Sequence, residues 1–420
     1  MKHKIYIILI LILLLISCQF NDYNNHIPPF QLDEITVTEI QQGYADGTYT
    51  IKQIVELYLD RIEEIDRRGP KLNSIITINP DALHIANMLD RELKEGKSRG
   101  PLHGIPVILK DNIDTHDQMP CTAGSRILKD SYPLQDSWVA IKLREAGAVI
   151  LGKANLSEWA NYRASFSSSG WSGIAGQTKN PYVLDRNPCG SSSGSAVSVS
   201  ANLCAIAIGT ETWGSIICPS NANGIVGIKP TVGLWSRSGI VPISYTQDTA
   251  GPMARTVKDA AILLGAITGV DSSDQKTLAS DGNFYNDYTQ FLKENGLKGK
   301  RIGYLKSREG RHFKVDTLMQ RAVRYMKSQG AEIIELDEIV EESAYTNSLE
   351  VMAYEFKDGL KKYFTRLGKD APVSNLKEAI KATLADSLEM LHFDVKTMEE
   401  SLEKGDLDSK EYKKAVKEWR

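Results

Sequence analysis

Lys110 is the first residue whose type and position suggest chemistry. It ends the apolar run of residues 105–109 and is followed by Asp111 and Asn112. A lysine at the end of a buried strand either extends to solvent or stays desolvated, and desolvation lowers its pKa. Only the desolvated amine is a usable base near neutral pH, and the position alone leaves both interpretations open.

Two turns rich in glycine and serine provide candidate nucleophiles. They lie around Ser191 and Ser215, and the apolar run 203–208 between them must be buried. Small side chains let backbone N–H groups and hydroxyls approach a reacting carbonyl closely. Gly214 allows such an approach beside Ser215, where consecutive N–H groups could hold an oxyanion, an effect worth about 3–4 kcal/mol per donor. Because a serine hydroxyl must pass its proton to a base, if necessary through a second hydroxyl, the pattern suggests a Ser–Ser–Lys relay.

Other catalytic motifs in the chain are weaker. Residues 190–194 satisfy GxSxG, but residues 185–188 before them are not the strand that a nucleophile elbow requires. Ser374 and Ser401 each begin an SxxK motif in a charged helical region, where a solvated helix face is the simpler interpretation. The seven histidines form no HExxH or HxH spacing, so we expect no metal site, and His103 is interpreted as structural.

The elements that must position these residues alternate between helices and strands. Thr38 and Thr50 each begin a Thr-x-x-Gln segment of the kind that starts a helix. The pattern then predicts a strand at 75–78, a helix at 81–95, a strand at 107–109, a helix at 137–145 and a strand at 148–151. This alternation predicts the α/β class, with a large mixed β-sheet covered by helices on both faces.

The alternation continues further along the chain, with one ambiguous segment. Serines and valines alternate over residues 196–200, which allows either a strand or the start of a helix. Helices are predicted at 256–266 and 316–327, strands at 301–305 and 331–336, and charged helices beyond about residue 340. The length is sufficient for one large α/β domain or two ordinary ones.

Composition and charge argue against several classes of protein. The formal net charge of −3 and the sequence pI of about 6.2 argue against a nucleic-acid partner. Five cysteines without a CxxC pair are too few for a disulfide scaffold and do not indicate a zinc site. Cys189 and Cys218 lie in the two turns that we expect to meet, so they could pair in an exported protein, and the sequence leaves their state open.

The N-terminus suggests export. Two lysines precede the apolar run of residues 5–16, which is well short of the roughly 20 residues that a bilayer span needs. The segment resembles a bacterial lipoprotein signal, which implies a signal peptide over residues 1–17 and a lipidated cysteine with its tether over residues 18–30. We therefore expect an exported protein that is lipid-anchored through Cys18 to the outer or cytoplasmic membrane of a bacterial envelope. The alternative is an uncleaved N-terminal anchor.

Several segments, in this order, resemble the amidase signature family. They are GPLHGIPVILKDNIDT, TAGS, KANLSEWAN, GQTKNPY, PCGSSSGSAV, GTETWGSIICPSNANGIVGIKPTVGLWSRSGIVP and QDTAGPMARTVKDAA. The resemblance extends from about residue 38 to at least residue 266. Within the family, PCGSSSGSAV and GSIICP are most similar to the peptide amidases, which remove ammonia from the C-terminal amide of peptides.

The resemblance implies a role for each of the three residues singled out above. Lys110 is the expected general base, Ser191 is the bridging serine held by a cis peptide bond, and Ser215 is the nucleophile that forms the acyl-enzyme. The oxyanion hole is expected from the backbone N–H groups of Thr212, Trp213, Gly214 and Ser215. Because such a base must be buried without a carboxylate partner, Asp111 is expected to point away from the relay.

The resemblance also implies a substrate, and it implies that no cofactor is needed. The expected substrate is a carboxamide, either the C-terminal amide of a peptide or a related small amide, which is hydrolysed to acid and ammonia. The amidase domain is expected over residues 31–420, and the sequence does not indicate the oligomeric state. The alternatives are a non-catalytic envelope binding protein on the same fold and an amidotransferase A-type subunit.

Three departures from the family pattern bear on these expectations. Trp213 stands where relatives commonly carry a small or acidic residue, so we expect a partly covered oxyanion turn and a reshaped acyl pocket. Ile217 stands where many relatives have the arginine of a Ser-x-Arg-x-Pro pattern, which argues against recognition of an anionic group there. The Ala-Pro-Thr turn and Gly-Tyr-Pro stretch that usually finish the sheet do not precede Arg420, so a truncated C-terminal part with exposed sheet edges and apolar surface is expected.

Overall fold

The computed structural model describes residues 30–419 of the chain. The chain divides into a short unit, Met1–Asp33, and a large unit, Glu34–Arg420. Of the short unit, residues 31–33 form a turn. The predicted signal peptide and Cys18 lie outside the described residues. Every element named below belongs to the large unit.

Helix α1 (Val37–Ala45) opens the large unit. Its N-cap is Thr36, whose side chain accepts the backbone N–H of Glu39 while the Glu39 side chain accepts the N–H of Thr36. The predicted start at Thr38 was therefore wrong, because the reciprocal capping box forms two residues earlier with a glutamate as its second member.

Helix α2 (Ile51–Arg61) begins at Thr50, which forms a capping box with Gln53 as the sequence predicted. It continues as a π-helical segment, Ile62–Arg68. Within that segment, the Asp66 carboxylate accepts the backbone N–H of Ser74 at 2.7 Å. This bond ties the N-terminal helices to the start of the first strand.

A six-stranded mixed sheet forms the centre of the large unit. The first eight strands of the chain are β1 (Ile75–Ile78), β2 (Pro106–Lys110), β3 (Val149–Ala154), β4 (Trp171–Ser172), β5 (Gly176–Gln177), β6 (Ile206–Glu211), β7 (Val226–Gly227) and β8 (Thr249–Ala254). The central sheet has the order β1-β3-β2-β6-β8-β7, and β4 pairs with β5 outside it. β2 is parallel to β3 and β6, whereas the remaining pairs of the central sheet are antiparallel. The predicted α/β class with a mixed sheet is confirmed.

Helices connect and cover these strands. They are α3 (Ala82–Lys94), α4 (Trp138–Glu145), α5 (Ser193–Ser200), α6 (Ile217–Ala222) and α7 (Val257–Ile267). Parallel neighbours need such crossovers, and α4 and α5 immediately precede β3 and β6, the two strands parallel to β2. Ser137 and Thr256 cap α4 and α7, at the starts that the sequence predicted.

Helix α5 resolves the segment that the sequence left ambiguous. It is buried along nearly its whole length and packs against β2, β3, β6 and β8. The Ser195 hydroxyl donates to the Ile208 carbonyl at 3.0 Å, and the Ser198 hydroxyl lies 3.3 Å from the Ser74 hydroxyl. A helix surrounded by protein on all sides has no polar face, so its periodicity could not identify it.

The C-terminal part of the chain is helical apart from a separate parallel pair of strands. Its elements are β9 (Arg301–Leu305), α8 (Phe313–Ser328), β10 (Glu332–Leu336), α9 (Glu342–Leu367), α10 (Leu376–Ala385), α11 (Lys396–Leu402) and α12 (Lys410–Trp419). β9 pairs with β10. α9 is the central helix, because its Phe356, Leu360 and Phe364 are buried in one apolar cluster with Trp159 and Leu376.

We predict that Gly194→Ala destabilises the protein by about 2–3 kcal/mol. The added Cβ would lie 2.5 Å from the Asn155 carbonyl oxygen and 2.6 Å from the Asn155 nitrogen. Backbone atoms cannot rotate away, so α5 would shift relative to the sheet. Denaturant unfolding measures the loss, with Gly405→Ala as the matched control because its nearest atom is 3.6 Å away. Equal stability in the two variants would contradict the prediction.

Candidate active site

Lys110 is the last residue of β2, and its side chain is fully buried. Its Nζ lies 2.7 Å from Ser191 Oγ, 2.8 Å from Thr210 Oγ1 and 3.2 Å from the Thr210 carbonyl oxygen. Thr210 belongs to β6, the parallel neighbour of β2, so both residues lie at the carboxyl ends of adjacent strands. Of the two interpretations that the sequence allowed for Lys110, the buried one is observed.

Burial lowers the pKa of Lys110 to about 7, even though the carboxylates of Asp248 and Glu211 act to raise it. The adjacent Asp111 does not pair with Lys110. Its carboxylate accepts the backbone N–H of Thr122 at 3.3 Å and lies 4.0 Å from Lys153 Nζ. An amine with a pKa near 7 is substantially neutral at physiological pH, so Lys110 is competent to act as a base.

Ser191 follows a cis peptide bond from Gly190 and lies two residues before α5. The next residue, Ser192, connects this turn to two other parts of the site. Its backbone N–H donates to the Ser215 carbonyl oxygen at 3.1 Å, and its hydroxyl donates to the Thr210 carbonyl oxygen at 3.0 Å. These bonds place the backbone of Ser215 against the turn that carries Ser191, whose hydroxyl contacts Lys110.

The turn that carries Ser215 joins β6 to α6, and Glu211 holds its far end. Glu211 Oε2 accepts the backbone N–H of Ile216 at 2.7 Å and of Ile217 at 3.0 Å. The carboxylate thus bridges the start and the end of the turn. This contact fixes the backbone on both sides of Ser215.

Asp248 holds the near end of the same turn. Its carboxylate accepts the Thr212 hydroxyl and also the backbone N–H of Ile243 at 2.8 Å and of Ser244 at 2.9 Å. Burial raises the pKa of Asp248 to about 6, although these hydrogen bonds oppose the rise. The carboxylate is therefore largely ionised at neutral pH and links the turn to the segment that follows β7.

Four consecutive backbone N–H groups in this turn are available to a ligand. In the part of the chain that the structure describes, the N–H groups of residues 212–215 donate to no protein acceptor. Gly214 makes this arrangement accessible because its φ of 85° lies in the region that favours glycine. The same four residues were expected to form the oxyanion hole, and their N–H groups are free to bind a substrate oxygen.

A disulfide joins the two serine turns. Cys189 and Cys218 are bonded, with Cα atoms 5.9 Å apart and a sequence separation of 29 residues. Cys189 lies two residues before Ser191, and Cys218 lies three residues after Ser215. The sequence left open whether Cys189 and Cys218 pair, and the structure shows that they form a covalent link between the segments that carry the two serines.

A cavity of about 700 Å³ lies beside these residues. Its wall includes Asn112, Thr210 and Thr212, although it does not include Lys110 or either of the two serines. Asn112 Nδ2 donates to Thr210 Oγ1 at 3.0 Å, and the buried Asn112 Oδ1 has no partner among residues 30–419. The cavity thus adjoins Lys110 through Thr210 and offers an acceptor for a ligand N–H.

Comparison with known proteins gives the family. A family match described as amidase covers residues 53–420. This chain belongs to the amidase family. A probable amidase of Arabidopsis thaliana is 45% identical over 360 residues, which are 84% of this chain and 68% of that protein. A putative amidase of Schizosaccharomyces pombe is 41% identical over 371 residues, which are 83% of this chain and 62% of that protein.

Solved structures agree with this assignment. The X-ray structure of peptide amidase from Stenotrophomonas maltophilia matches this amidase with a TM-score of 0.90 and 44% identity, covering 93% of this chain and 79% of that chain. The expected amidase signature fold and the similarity to peptide amidase are therefore confirmed. Family and neighbour together support an amide hydrolase that acts on carbon–nitrogen bonds other than peptide bonds, in linear amides.

The chain corresponds to only part of the length of its curated relatives. The chain spans 50% to 68% of the lengths of three amidases from a plant and two fungi. A glutamyl-tRNA(Gln) amidotransferase protein of Alkaliphilus metalliredigens is more distant, at 34% identity over 336 residues, which are 79% of this chain and 66% of that protein. The amidotransferase alternative is therefore the weaker one.

The predicted localisation is wrong. The plant and fungal amidases and the bacterial peptide amidase described above carry no name that marks them as exported or lipid-anchored proteins. Between residues 30 and 419, no helix is long and apolar enough to cross a membrane. The prediction depended on the short apolar run before Cys18, and a run too short to span a bilayer does not by itself require a membrane partner. The lipid anchor, the signal peptide and the membrane partner are withdrawn with it.

The sequence predicted the candidate reactive residues but not the residues that hold them and their turns in place. Thr210 contacts Lys110, Glu211 anchors the Ser215 turn, and Asp248 binds Thr212. The sequence could have indicated Thr210 and Glu211, because polar residues that end a buried strand need hydrogen-bond partners. No local pattern connects Asp248 with Thr212, since a separate loop brings the two together.

We predict that replacing both bonded cysteines, Cys189→Ser with Cys218→Ser, lowers the free energy of unfolding by about 3–4 kcal/mol. A cross-link that closes a loop of 29 residues restricts the unfolded chain by about this amount. Denaturant unfolding should be compared for the oxidised protein, the protein reduced with dithiothreitol and the double variant. The reduced protein should match the variant, and the variant should not respond to reductant. An unchanged unfolding midpoint after reduction would exclude this stabilisation.

Proposed function

We propose that this amidase hydrolyses a carboxamide to a carboxylic acid and ammonia through an acyl-enzyme on Ser215. Ser191 is the proton bridge and Lys110 is the base. The observation that carries the proposal is the 2.7 Å contact between the buried Lys110 Nζ and Ser191 Oγ. The backbone bond from Ser192 to Ser215 supports it, because that bond holds the nucleophile's turn against the bridging serine's turn.

The hydrogen bonds of Lys110 determine the direction of its lone pair. A neutral amine has two N–H donors and one lone pair. The Thr210 carbonyl oxygen can only accept, and Thr210 Oγ1 accepts the second N–H, so Thr210 uses both donors. The lone pair is then directed at Ser191 Oγ. Ser191 therefore donates its proton to Lys110 and accepts the proton of Ser215.

Ser215 Oγ attacks the amide carbon as it loses this proton. The carbonyl oxygen becomes an oxyanion that accepts hydrogen bonds from the N–H groups of residues 212–215. Donors in such a position contribute about 3–4 kcal/mol each to the transition state. Because Glu211 and Asp248 fix the turn beforehand, the donors need not reorganise during the reaction.

The carbon–nitrogen bond then breaks. The leaving nitrogen takes a proton from Ser191, which is replaced by the proton held on Lys110, so ammonia leaves as a neutral molecule. A water molecule enters, loses a proton along the same path and attacks the acyl carbon. The second tetrahedral intermediate releases the acid and returns the proton to Ser215.

The proposed substrate is the C-terminal amide of a peptide or a related small amide. The support is the similarity to Stenotrophomonas peptide amidase and to a structure of peptide amidase in complex with the competitive inhibitor chymostatin, which is 43% identical. A cavity of about 700 Å³ has the size of a typical small-molecule site. The unpartnered Asn112 Oδ1 in its wall suits a peptide N–H.

We predict that the purified protein releases ammonia from a C-terminally amidated dipeptide. Ser215→Ala should abolish release, Lys110→Ala should nearly abolish it, and Ser191→Ala should cost orders of magnitude, because the relay acts as a unit. A coupled ammonia assay measures the rates, and circular dichroism checks that each variant is folded. Ser200→Ala, which removes a hydroxyl bonded to the Asn223 carbonyl, is the matched control and should be active.

The same assay with a long-chain fatty amide tests the substrate class. Ammonia release from the fatty amide alone would support the assignment as an amide hydrolase but would replace the proposed peptide substrate with a fatty amide. A folded protein that hydrolyses neither amide would overturn the proposal in favour of a non-catalytic binding protein. Wild-type rates in Lys110→Ala would remove the lysine from the mechanism.

We predict that kcat/KM rises with pH through a midpoint near 7 and then reaches a plateau. Only neutral Lys110 has a lone pair, and burial lowers its pKa to about 7. Below the midpoint the rate should fall about tenfold per pH unit. Asp248→Asn should move the midpoint to lower pH, because the Asp248 carboxylate raises the pKa of Lys110. A flat profile between about pH 5 and 9 would be inconsistent with Lys110 as the base.

A further inference from the structure

We propose that Trp213 and Tyr345 form a binding subsite for an apolar or aromatic side chain on the acyl part of the amide. We call this pair the aromatic platform. The inference rests on the proposed function, because it places the acyl group beside Ser215. It adds a substrate class to that function: amides whose amidated residue carries a large uncharged side chain.

The two rings of the aromatic platform lie edge to face. Their centroids are 4.7 Å apart and their planes make an angle of 61°. Trp213 belongs to the turn after β6, and Tyr345 belongs to the first turn of α9. Edge-to-face contact is a favourable arrangement for aromatic rings, so each ring restricts the other. The indole is therefore held in one place and is not a freely rotating surface side chain.

The aromatic platform lies beside the reacting groups. Gly214 alone separates Trp213 from Ser215, and two residues of extended chain span at most about 7 Å. Thr212, on the other side of Trp213, lines the cavity. The backbone N–H of Trp213 is one of the four without an acceptor among the described residues. An acyl group that binds these N–H groups therefore has its substituents within reach of the indole.

Exposed apolar side chains accompany the aromatic platform along the chain. Trp213 and Tyr345 each keep 48% of their surface exposed. Ile217, at the start of α6, is 47% exposed, and Leu349, one helical turn after Tyr345, is 38% exposed. An aromatic or aliphatic side chain would cover this surface. An anionic side chain would lose hydration there and would lie near Glu341 and Glu342, which are exposed at the start of α9. The platform therefore favours phenylalanine or leucine amides over glycine or aspartate amides.

The test is the ratio of kcat/KM for N-acetyl-phenylalaninamide to that for N-acetyl-glycinamide. Trp213→Ala and Tyr345→Ala should each lower this ratio about tenfold, while the ring-preserving variants Trp213→Phe and Tyr345→Phe should keep most of it. General damage to the site lowers both rates and leaves the ratio unchanged. An unchanged ratio in both alanine variants of an active enzyme would overturn the aromatic platform and leave the proposed function standing.

A binding measurement separates failure of the aromatic platform from failure of the proposed function. Calorimetric titration of the same two amides into Ser215→Ala protein does not require turnover. Phenylalaninamide should bind more tightly than glycinamide, and adding Trp213→Ala should weaken the binding of phenylalaninamide about tenfold. If the wild type hydrolyses neither amide but this difference in binding is present, the platform stands and the proposed function falls. Equal binding of the two amides contradicts the platform whatever the activity.

Discussion

The burial of an amine without a carboxylate partner is the constraint on which the site depends. Among residues 30–419, the polar atoms that Lys110 contacts are uncharged oxygens, those of Ser191 and Thr210. Such partners bind a neutral amine as well as an ammonium ion, so burial sets the protonation state. Lys153 is equally buried but lies 4.0 Å from the Asp111 carboxylate and donates to the Ile113 carbonyl at 2.6 Å. Among the described residues, the two buried lysines of this sheet therefore differ in whether a carboxylate lies within 4.0 Å of the amine.

The fold positions this amine through backbone pairing. The parallel register of β2 and β6 brings Lys110 to Thr210, and the buried helix α5 sets the serine turn against the same strand ends. The disulfide and the Glu211 carboxylate then hold the second turn in place. The side chains that we propose to react are thus held by elements that take no part in the proposed chemistry.

Local signals predicted most of this structure, and long-range contacts account for what was missed. The helix caps at Thr50, Ser137 and Thr256 could be predicted from the sequence because a capping hydrogen bond spans only a few residues. The Thr36 cap was missed because two threonines compete within three positions. Helix α5 lacked a polar face, and Asp248 meets Thr212 across a loop, so neither leaves a periodic signal. The candidate reactive residues were identified because the segments that carry them resemble a known family. Sequence position alone did not show whether Lys110 is buried or extends to solvent.

Glu211 has an electrostatic consequence for the neighbouring helix start. The first turn of a helix carries partial positive charge and attracts anions. Here the Glu211 carboxylate occupies the N–H groups of Ile216 and Ile217, directly before and at the start of α6 (Ile217–Ala222). The protein neutralises this helix start itself, so simple anions such as acetate or phosphate gain little by binding there. In the proposed mechanism, the free N–H groups of residues 212–215 then attract the negative charge that exists only while the carbonyl is under attack.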